Sequence, residues 1–298
     1  MPELTITTRK RRVLRLPRNT RGRDLIMTDP HGAYDLVWAA MKAANFDPSC
    51  DRLLVGGDLI DRGAGSARAG AFLRQPYVHS IAGNHERMLV DAWRQGALDR
   101  DVVDALARMN YNGMRWMKDV PIEALEELAA TFDDLPFVIE VETSRGLVGI
   151  VHADVPPGMH WQTFTAKIEA GDEYATRMAL GMDISDSFHE SRQRVQNRCA
   201  DGVPGIGRVF VGHTVLFEGM QKLGNLYAID SGASWADAGR DKGRLTMVDP
   251  RMQTMYLAQP PVARDDPRLD LRIFGEIPAT PFSDCDEPAP EDAESPRM

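Results

Sequence analysis

The chain has 298 residues, of which 43% are hydrophobic and 27% are charged. This length and composition are typical of one large globular domain or of two small ones. The net charge of -9 argues against a surface built to hold nucleic acid. No apolar run approaches the roughly 20 residues that a membrane helix needs, and the N-terminus lacks the apolar core of a signal peptide. We therefore expect neither a nucleic-acid partner nor a membrane partner.

The cysteines exclude two further classes of site. Cys50, Cys199 and Cys285 are far apart, odd in number, and form no CxxC pair. A disulfide framework and a structural zinc site both need closely spaced or paired cysteines. The pattern indicates a reducing compartment, and we predict the cytoplasm.

Charge and proline content divide the chain into three regions. Cationic residues crowd residues 1–23, which we interpret as a solvated basic strand or arm, with a phosphate-binding or nucleic-acid-binding arm as the alternative. Residues 24–258 form the main domain. Residues 259–298 carry eight of the 19 prolines and many acidic residues, and they are predicted to form a poorly ordered tail.

Strand and helix patterns alternate along the main domain. The first third repeats a unit of strand, loop and helix, which predicts an α/β fold with parallel strands and right-handed crossovers. Two later strands, at 137–142 and 147–151, are spaced as a hairpin. The other predicted strands are 13–16, 25–29, 52–58, 77–82, 208–211, 226–229, 245–248 and 254–257. The predicted helices are 33–44, 65–73, 86–93, 101–109, 122–131, 171–180 and 187–197.

Five of these strands end in side chains that can bind a metal ion. The residues concerned are Asp29, His31, Asp58, Asn84, His85, His152 and His213. A single aspartate after a strand is usually a helix cap or turn residue, and a single histidine is more often structural. Four of the seven histidines follow apolar strands, however, and parallel sheets place ligands at the carboxyl ends of their strands. The coincidence therefore predicts a metal site.

The type of donor limits the choice of ion. Carboxylate, imidazole and amide oxygen without thiolate suit Mn, Fe or Zn, and we favour Mn. One carboxylate commonly bridges two ions that lie about 3.5–4 Å apart. Asp58 lies between the other two early motifs and is the natural bridge.

Taken together, these residues form blocks that resemble a known family. The blocks are Asp29-Pro30-His31-Gly32, Gly57-Asp58-Leu59-Ile60-Asp61-Arg62-Gly63, Gly83-Asn84-His85-Glu86, Val151-His152-Ala153-Asp154 and Gly212-His213-Thr214. Their order is similar to that of the phosphoprotein phosphatases, a family of the metallophosphoesterase superfamily. The block at 151–156 and Ile229-Asp230-Ser231-Gly232-Ala233 resemble the bacterial branch typified by the phage lambda serine/threonine phosphatase. The resemblance covers residues 24–257.

The resemblance implies a more specific fold than the residue pattern alone. It implies a metallophosphatase-like β-sandwich of mixed sheets flanked by helices, with a dinuclear metal site at one rim. The strand and helix pattern by itself predicts a plain open sheet. The stretches 99–131 and 156–197 are expected to form walls around the cleft.

The family pattern assigns a role to each matching position. It implies that two divalent ions are held by Asp29, His31, Asp58, Asn84, His152 and His213, with Asp58 as the bridge. A hydroxide bridging the ions would attack phosphorus in line. His85 would protonate the leaving oxygen, Asp61 would orient His85, and Arg62 would bind the phosphate.

A second phosphate-binding arginine is less clearly marked. The segment Ser191-Arg192-Gln193-Arg194 resembles one that precedes the last histidine block in the lambda branch. We assign Arg192, with Arg194 as the alternative, and either could instead be an ordinary arginine on a helix surface. The chain also departs from the family pattern, since Thr28 replaces a usual glycine and Ala82 a usual arginine.

Three functions fit these residues. We favour a metal-dependent protein phosphatase, specific for phosphoserine and phosphothreonine or of dual specificity, which acts on phosphorylated proteins or peptides. The first alternative is a small-molecule phosphohydrolase, such as a symmetrical diadenosine tetraphosphatase. The other is a phosphate-binding module without turnover, against which the His85 and Asp61 pair argues because binding needs no general acid. The sequence predicts no particular oligomeric state.

Overall fold

The structure is a computed structural model that describes residues 11–182, 189–240 and 242–250, together with the backbone of strands at 254–259 and 272–278. The strands are β1 (Val13–Leu16), β2 (Asp24–Met27), β3 (Arg52–Val55), β4 (Val78–Ser80), β5 (Val138–Thr143), β6 (Gly146–Val151), β7 (Arg208–Val211), β8 (Gln221–Leu223), β9 (Leu226–Ala228), β10 (Leu245–Val248), β11 (Thr254–Gln259) and β12 (Arg272–Pro278). The helices are α1 (Tyr34–Ala43), α2 (Ala69–Leu73), α3 (Asn84–Arg94), α4 (Arg100–Met109), α5 (Ile122–Asp133), α6 (Trp161–Ala170), α7 (Glu173–Leu180), α8 (Glu190–Gln196) and α9 (Ala233–Asp237). Two 3₁₀ segments, Ala64–Arg68 and Tyr111–Asp119, precede α2 and follow α4.

The strands form two mixed sheets. One has the order β1-β5-β6-β7-β9-β8, and the other has the order β12-β11-β10-β2-β3-β4. In the second sheet β2, β3 and β4 run parallel, and β10 pairs antiparallel with β2. In the first sheet β6 and β7 run parallel, while β5 and β6 form the predicted antiparallel hairpin. Parallel neighbours point their carboxyl ends toward the same edge, which prepares that edge for a site.

Alternation of side chains along the strands separates three hydrophobic layers. In β2, Leu25 and Met27 pack under the helices on one face, whereas Ile26 faces the other sheet. In β7, Phe210 likewise joins the layer between the sheets. Because successive side chains of a strand point to opposite faces, a strand of continuous apolar residues is buried on both sides. The result is a sandwich with helices outside each sheet.

The predicted α/β sandwich is confirmed, and the plain open sheet is wrong. An open sheet would need one continuous order of strands, but β2 to β4 and β5 to β9 lie in different sheets whose facing apolar side chains form a shared core. The sequence missed α6, α9 and the short strand β8. Within the described residues, no helix is long and apolar enough to cross a bilayer.

The two ends of the chain contribute strands to the sheets. β1 pairs in parallel with β5, and the backbone of β12 pairs with β11 inside the region predicted as a tail. Arg15 contacts Glu140 and Glu169, and Arg23 contacts Asp51, each through an ion pair of 2.6–2.7 Å. These arginines are therefore engaged within the fold. The division of the chain into an arm, a main domain and a tail at residues 23 and 258 stays a prediction.

Gly149 in β6 tests the packing of the outer layer. A Cβ atom at this position would overlap the indole ring of Trp161, whose Nε1 donates to Glu140 Oε1 at 2.6 Å. We expect Gly149→Ala to lower the free energy of unfolding by about 1–3 kcal/mol, since overpacking must displace a buried ring. Urea denaturation measures the change. Gly70→Ala in α2 is the matched control, because its Cβ meets only ordinary contacts at 3.5 Å, and equal destabilisation of both variants would contradict the expectation.

Candidate metal centre

The sequence-predicted donors meet at one rim of the sandwich. Asp29, Asp58 and Asn84 follow the parallel strands β2, β3 and β4, and His152 and His213 follow the parallel strands β6 and β7. The two sheets face each other, so their carboxyl ends converge. Asn84 Oδ1, which follows β4 of one sheet, lies 3.1 Å from His213 Nδ1, which follows β7 of the other.

Asp58 is shared by two groups of ligand atoms. His31, Asp58 and His85 form one group and Asp58, His152 and His213 the other, with ligand atoms within 4.8 Å of one another in each. Asp58 Oδ2 lies 3.4 Å from His31 Nε2, and Asp58 Oδ1 lies 3.4 Å from His152 Nε2. Each oxygen of one carboxylate thus faces a different group, which is the geometry by which a carboxylate bridges two ions.

Backbone carbonyls orient two of the imidazoles. His31 Nδ1 lies 2.7 Å from Ile60 O and His152 Nδ1 lies 2.9 Å from Gly56 O, so each Nδ1 donates and each Nε2 is left unprotonated, with His152 Nε2 3.0 Å from Asn84 Oδ1. Among the described residues, His31 Nε2 has no hydrogen-bond partner although it is buried. Burial lowers the pKa of His31, His152 and His213, which favours the neutral imidazole that binds metal ions.

Asp29 stands outside both groups of close ligand atoms. Its two oxygens accept hydrogen bonds from the backbone N–H of His213, each at 3.0 Å. Burial raises the pKa of Asp29 well above its ordinary value, and the charges of Asp230 and Asp58 raise it further. Several buried carboxylates crowd this rim, and divalent cations would neutralise them. The donor set and this concentration of charge therefore fit a divalent-metal site.

The loops that carry the donors have unusual backbone conformations. Six of the site residues have positive φ angles between 43° and 70°, namely Asp29, His31, Asp58, Asp61, Arg62 and His213. The left-handed region costs a residue other than glycine roughly 1 kcal/mol or more. Such strain persists where the surroundings determine the backbone, and clusters of it are typical of functional sites.

A chain of short contacts runs through His85. Its Nδ1 lies 2.6 Å from Asp61 Oδ2, and Trp116 Nε1 donates to Asp61 Oδ1 at 2.6 Å. Arg62 Nη2 lies 3.1 Å from His85 Nε2. A guanidinium can only donate, so here His85 Nε2 accepts and Nδ1 carries the proton shared with Asp61. Burial lowers the pKa of His85, but Asp58 and Asp61 together raise it above its ordinary value.

Comparison with known proteins decides the family. The sequence profile of the calcineurin-like phosphoesterases matches residues 23–215, well over half of the chain. The chain belongs to this family. It is a metallophosphoesterase, a hydrolase whose His and Asp residues are positioned for divalent metal ions.

Several relatives of this metallophosphoesterase carry functional names. Serine/threonine-protein phosphatase 1 of Salmonella typhimurium strain LT2 is 29% identical over 75% of this chain and 89% of its own length. Serine/threonine-protein phosphatase 2 of Escherichia coli strain K12 is 28% identical over 70% of this chain and 86% of its own. A symmetrical bis(5'-nucleosyl)-tetraphosphatase of Methylococcus capsulatus strain Bath is 31% identical over 51% of this chain and 49% of its own.

A solved structure shares the fold. It is provisionally assigned as a diadenosine tetraphosphatase and has a TM-score of 0.55 at 19% identity, covering 84% of this chain and 98% of that one. At this identity the likeness shows the fold alone.

The metallophosphoesterase uses Arg192 and Arg194 differently. Arg194 is buried, and its Nε donates to Asp154 at 2.9 Å while its terminal nitrogens donate to the carbonyl oxygens of Val155 and Gly202. Arg192 lines an open cleft beside Thr214, and its Nε has no hydrogen-bond partner among the described residues. Arg192 therefore keeps at least one donor unpaired among the described residues and lies at the cleft, which supports the first assignment over the alternative.

Sequence reasoning gave no role to three residues that the structure brings into the site. Glu86 is fully buried and accepts from the backbone N–H groups of Asp58, Leu59 and Gly83 at 2.7–2.8 Å. Burial raises the pKa of Asp230 to about 6. Glu86 and Asp230 stand inside the quoted blocks, so their positions carried a signal. No local signal marks Trp116, whose partner Asp61 lies 55 residues away along the chain.

Glu86 tests how the loop at Asp58 is held. Glu86→Ala would leave three buried backbone N–H groups without acceptors, so we expect the free energy of unfolding to fall by roughly 3 kcal/mol or more. Thermal or urea denaturation measures the loss. Glu126→Ala, at an exposed position of α5, is the control and should change stability by less than about 0.5 kcal/mol. A similar small change for Glu86→Ala would show that the loop does not depend on these bonds.

Proposed function

We propose that this metallophosphoesterase is a serine/threonine protein phosphatase that removes phosphate from phosphorylated proteins or peptides. Two relatives named as such phosphatases are 28–29% identical over 70–75% of the chain, whereas a symmetrical bis(5'-nucleosyl)-tetraphosphatase of Klebsiella pneumoniae strain 342 that also aligns over 70% is 23% identical. The observation that carries the chemistry is the single carboxylate of Asp58 facing two groups of imidazoles.

Two divalent ions are proposed to occupy the rim. His31 with Asp29 would hold the first, Asn84, His152 and His213 would hold the second, and Asp58 would contact both. We propose Mn, with Fe and Zn as alternatives, because the donors are oxygen and nitrogen without thiolate. When bound, such a pair activates water for attack on phosphorus and draws charge from the phosphate oxygens.

The neighbouring side chains supply the remaining chemistry. Arg62 and Arg192 would clamp the phosphate through their planar sets of donors. As Arg62 turns to the phosphate, it would release His85 Nε2, from which it is 3.1 Å away in this structure. His85 would then carry a proton on Nε2 for the leaving oxygen, and the charge of Asp61 at 2.6 Å would stabilise that imidazolium.

Two observations bear on the other readings. The tetraphosphatase relatives keep a small-molecule substrate as the second candidate. The contact between His85 and Asp61 argues against a binding module, because recognition of phosphate needs no general acid.

Cys50 and Cys199 are free thiols, which suits a reducing compartment, and we propose the cytoplasm.

A substrate panel tests this proposal. After chelator treatment and addition of single divalent ions, we expect hydrolysis of p-nitrophenyl phosphate and of phosphoserine and phosphothreonine peptides, with Mn the most effective ion. Diadenosine tetraphosphate should be a poor substrate. Asp58→Asn is the control and should lose both bound metal and turnover, because both groups of ligands share its charge. Preference for diadenosine tetraphosphate over every phosphopeptide would refute the proposal.

Substitution of Trp116 tests whether His85 is the proton donor, because two substrates with different leaving groups differ in how much they need that proton. Trp116→Phe removes the N–H that holds Asp61, so His85 should be less well placed to protonate the leaving oxygen. We expect kcat for a phosphoserine peptide to fall about tenfold or more, because an alkoxide is a poor leaving group. The kcat for p-nitrophenyl phosphate should fall much less, since its phenolate needs little protonation.

His85→Asn is the reference variant in the same assay. It should show the same bias between the two substrates more strongly, with metal content near that of the wild type. Equal losses on both substrates in Trp116→Phe would mean that the indole acts only on stability or binding.

A further inference from the structure

Two clefts lie beside the metal centre, and among the described residues the charged side chains that line both are mainly cations. The first, of about 770 Å³, begins at Thr214 next to the proposed ligand His213. The second, of about 460 Å³, lies beside Arg62 and is lined by Asn110, Asn112 and Ser234 among others. Val215 lines both clefts, so they meet beside the proposed phosphate clamp. A chain-like substrate can therefore leave the centre in two directions.

The first cleft, named here the basic groove, is rich in cations. Among the described residues it is lined by Arg192, Arg198, Lys242 and Arg244, against one acidic side chain, Glu218. Its described lining residues thus carry three more cations than anions, although the whole chain has a net charge of -9. A local field of this sign raises the concentration of anionic groups at the groove.

The cations of the basic groove are largely available to a ligand. Arg198 pairs with Glu218 at 3.5 Å, but these side chains are 70% and 87% exposed, so the pair is weak. Arg192 and Arg244 each have a buried Nε for which the described residues supply no hydrogen-bond partner. Arg198 and Lys242 are exposed and can contact a ligand directly, whereas the buried Nε atoms would gain a partner only if each guanidinium turned toward it.

We propose that the basic groove binds acidic side chains that flank the phosphorylated residue of a peptide substrate. This inference rests on the proposed function and adds a preference for sequence around the phosphate. The groove also carries apolar walls, from Val195, Leu216 and Phe217, which suit the mixed surface of a polypeptide.

The difference between the clefts argues against a symmetrical nucleotide. The two halves of such a ligand are alike and would need two similar clefts, yet the first is lined by four cations, Glu218 and apolar side chains, whereas the second is lined by two arginines, two asparagines and Trp235. In the second cleft, the guanidinium of Arg240 lies over the ring of Trp235 at 4.3 Å and covers one of its faces. A nucleobase would have to displace it before stacking there.

Three phosphoserine peptides of equal length test the groove. One carries acidic residues before the phosphoserine, one carries them after it, and the third carries their amides on both sides. We expect kcat/KM of the wild-type protein to be about fivefold to tenfold higher for one acidic peptide than for the neutral one, as two partly exposed ion pairs allow. The preference should shrink with added salt, because salt screens exposed charges.

Two variants locate the preference. Arg198→Gln with Lys242→Gln changes exposed side chains of the groove, and it should abolish the preference while p-nitrophenyl phosphate hydrolysis stays within about twofold. Arg244→Gln should reduce it independently. The matched control is Lys42→Gln with Arg74→Gln, which removes the same charge at exposed positions that line neither cleft, and it should keep the preference.

The outcomes separate the two proposals. Equal kcat/KM for acidic and neutral peptides, or a preference that survives in both groove variants, would overturn the groove proposal while leaving phosphatase activity intact. A groove variant that loses only diadenosine tetraphosphate hydrolysis would assign the groove to nucleotides and overturn it too. Absence of metal-dependent hydrolysis of every phosphomonoester would overturn the proposed function, and the groove proposal with it.

Discussion

The buried carboxylate of Asp58 faces imidazoles on both of its sides, and much of the surrounding structure holds it in that position. Glu86 binds the backbone N–H groups of Asp58 and Leu59, which keeps the loop after β3 close to the start of α3. Gly57 has a φ of 87°, and a Cβ atom there would meet Gly83 N at 2.6 Å, so the two loops need glycine in order to touch. The carboxylate of Asp58 can contact both groups of imidazoles only because the loop after β3 and the loop before α3 lie this close together.

Tight packing and backbone strain occur in different parts of the molecule. Three apolar layers, one between the sheets and one under each set of helices, keep the strands in register. Among the described residues, six of the ten non-glycine positive φ angles lie in the loops at the rim, where they turn side chains into the site. A rigid scaffold is what allows such loops to stay strained, because the contacts of the strands on either side offset the local cost.

Helix α8 shows how one short element serves both structure and recognition. Arg192 and Arg194 are two residues apart, which corresponds to about 200° around a helix. One side chain therefore faces the interior and binds Asp154, which directly follows Ala153 and the proposed ligand His152. The other faces the basic groove. The same helix thus supports the loop of the proposed ligand His152 from behind and presents the Arg192 guanidinium to the basic groove.

What the sequence determined by itself was local. The spacing of apolar residues predicted most strands and helices, including the hairpin of β5 and β6. The polar residues that follow the strands indicated the donors at the rim. The missed helix α6 has apolar residues facing Gly149 and the outer core, but its polar residues and the preceding prolines hid the period. The resemblance of the motif blocks, rather than periodicity, supplied the sandwich.

Only the tertiary structure decided how distant residues meet. Asn84 and His213 are 129 residues apart, and Trp116 is 55 residues from Asp61, so no local pattern could pair them. The structure also turned Asp29 toward the His213 backbone, separated the roles of Arg192 and Arg194, and joined two clefts of different lining at Val215. The physical reason is that secondary structure follows from neighbours in the chain, whereas a site depends on which strands pair and which faces become buried.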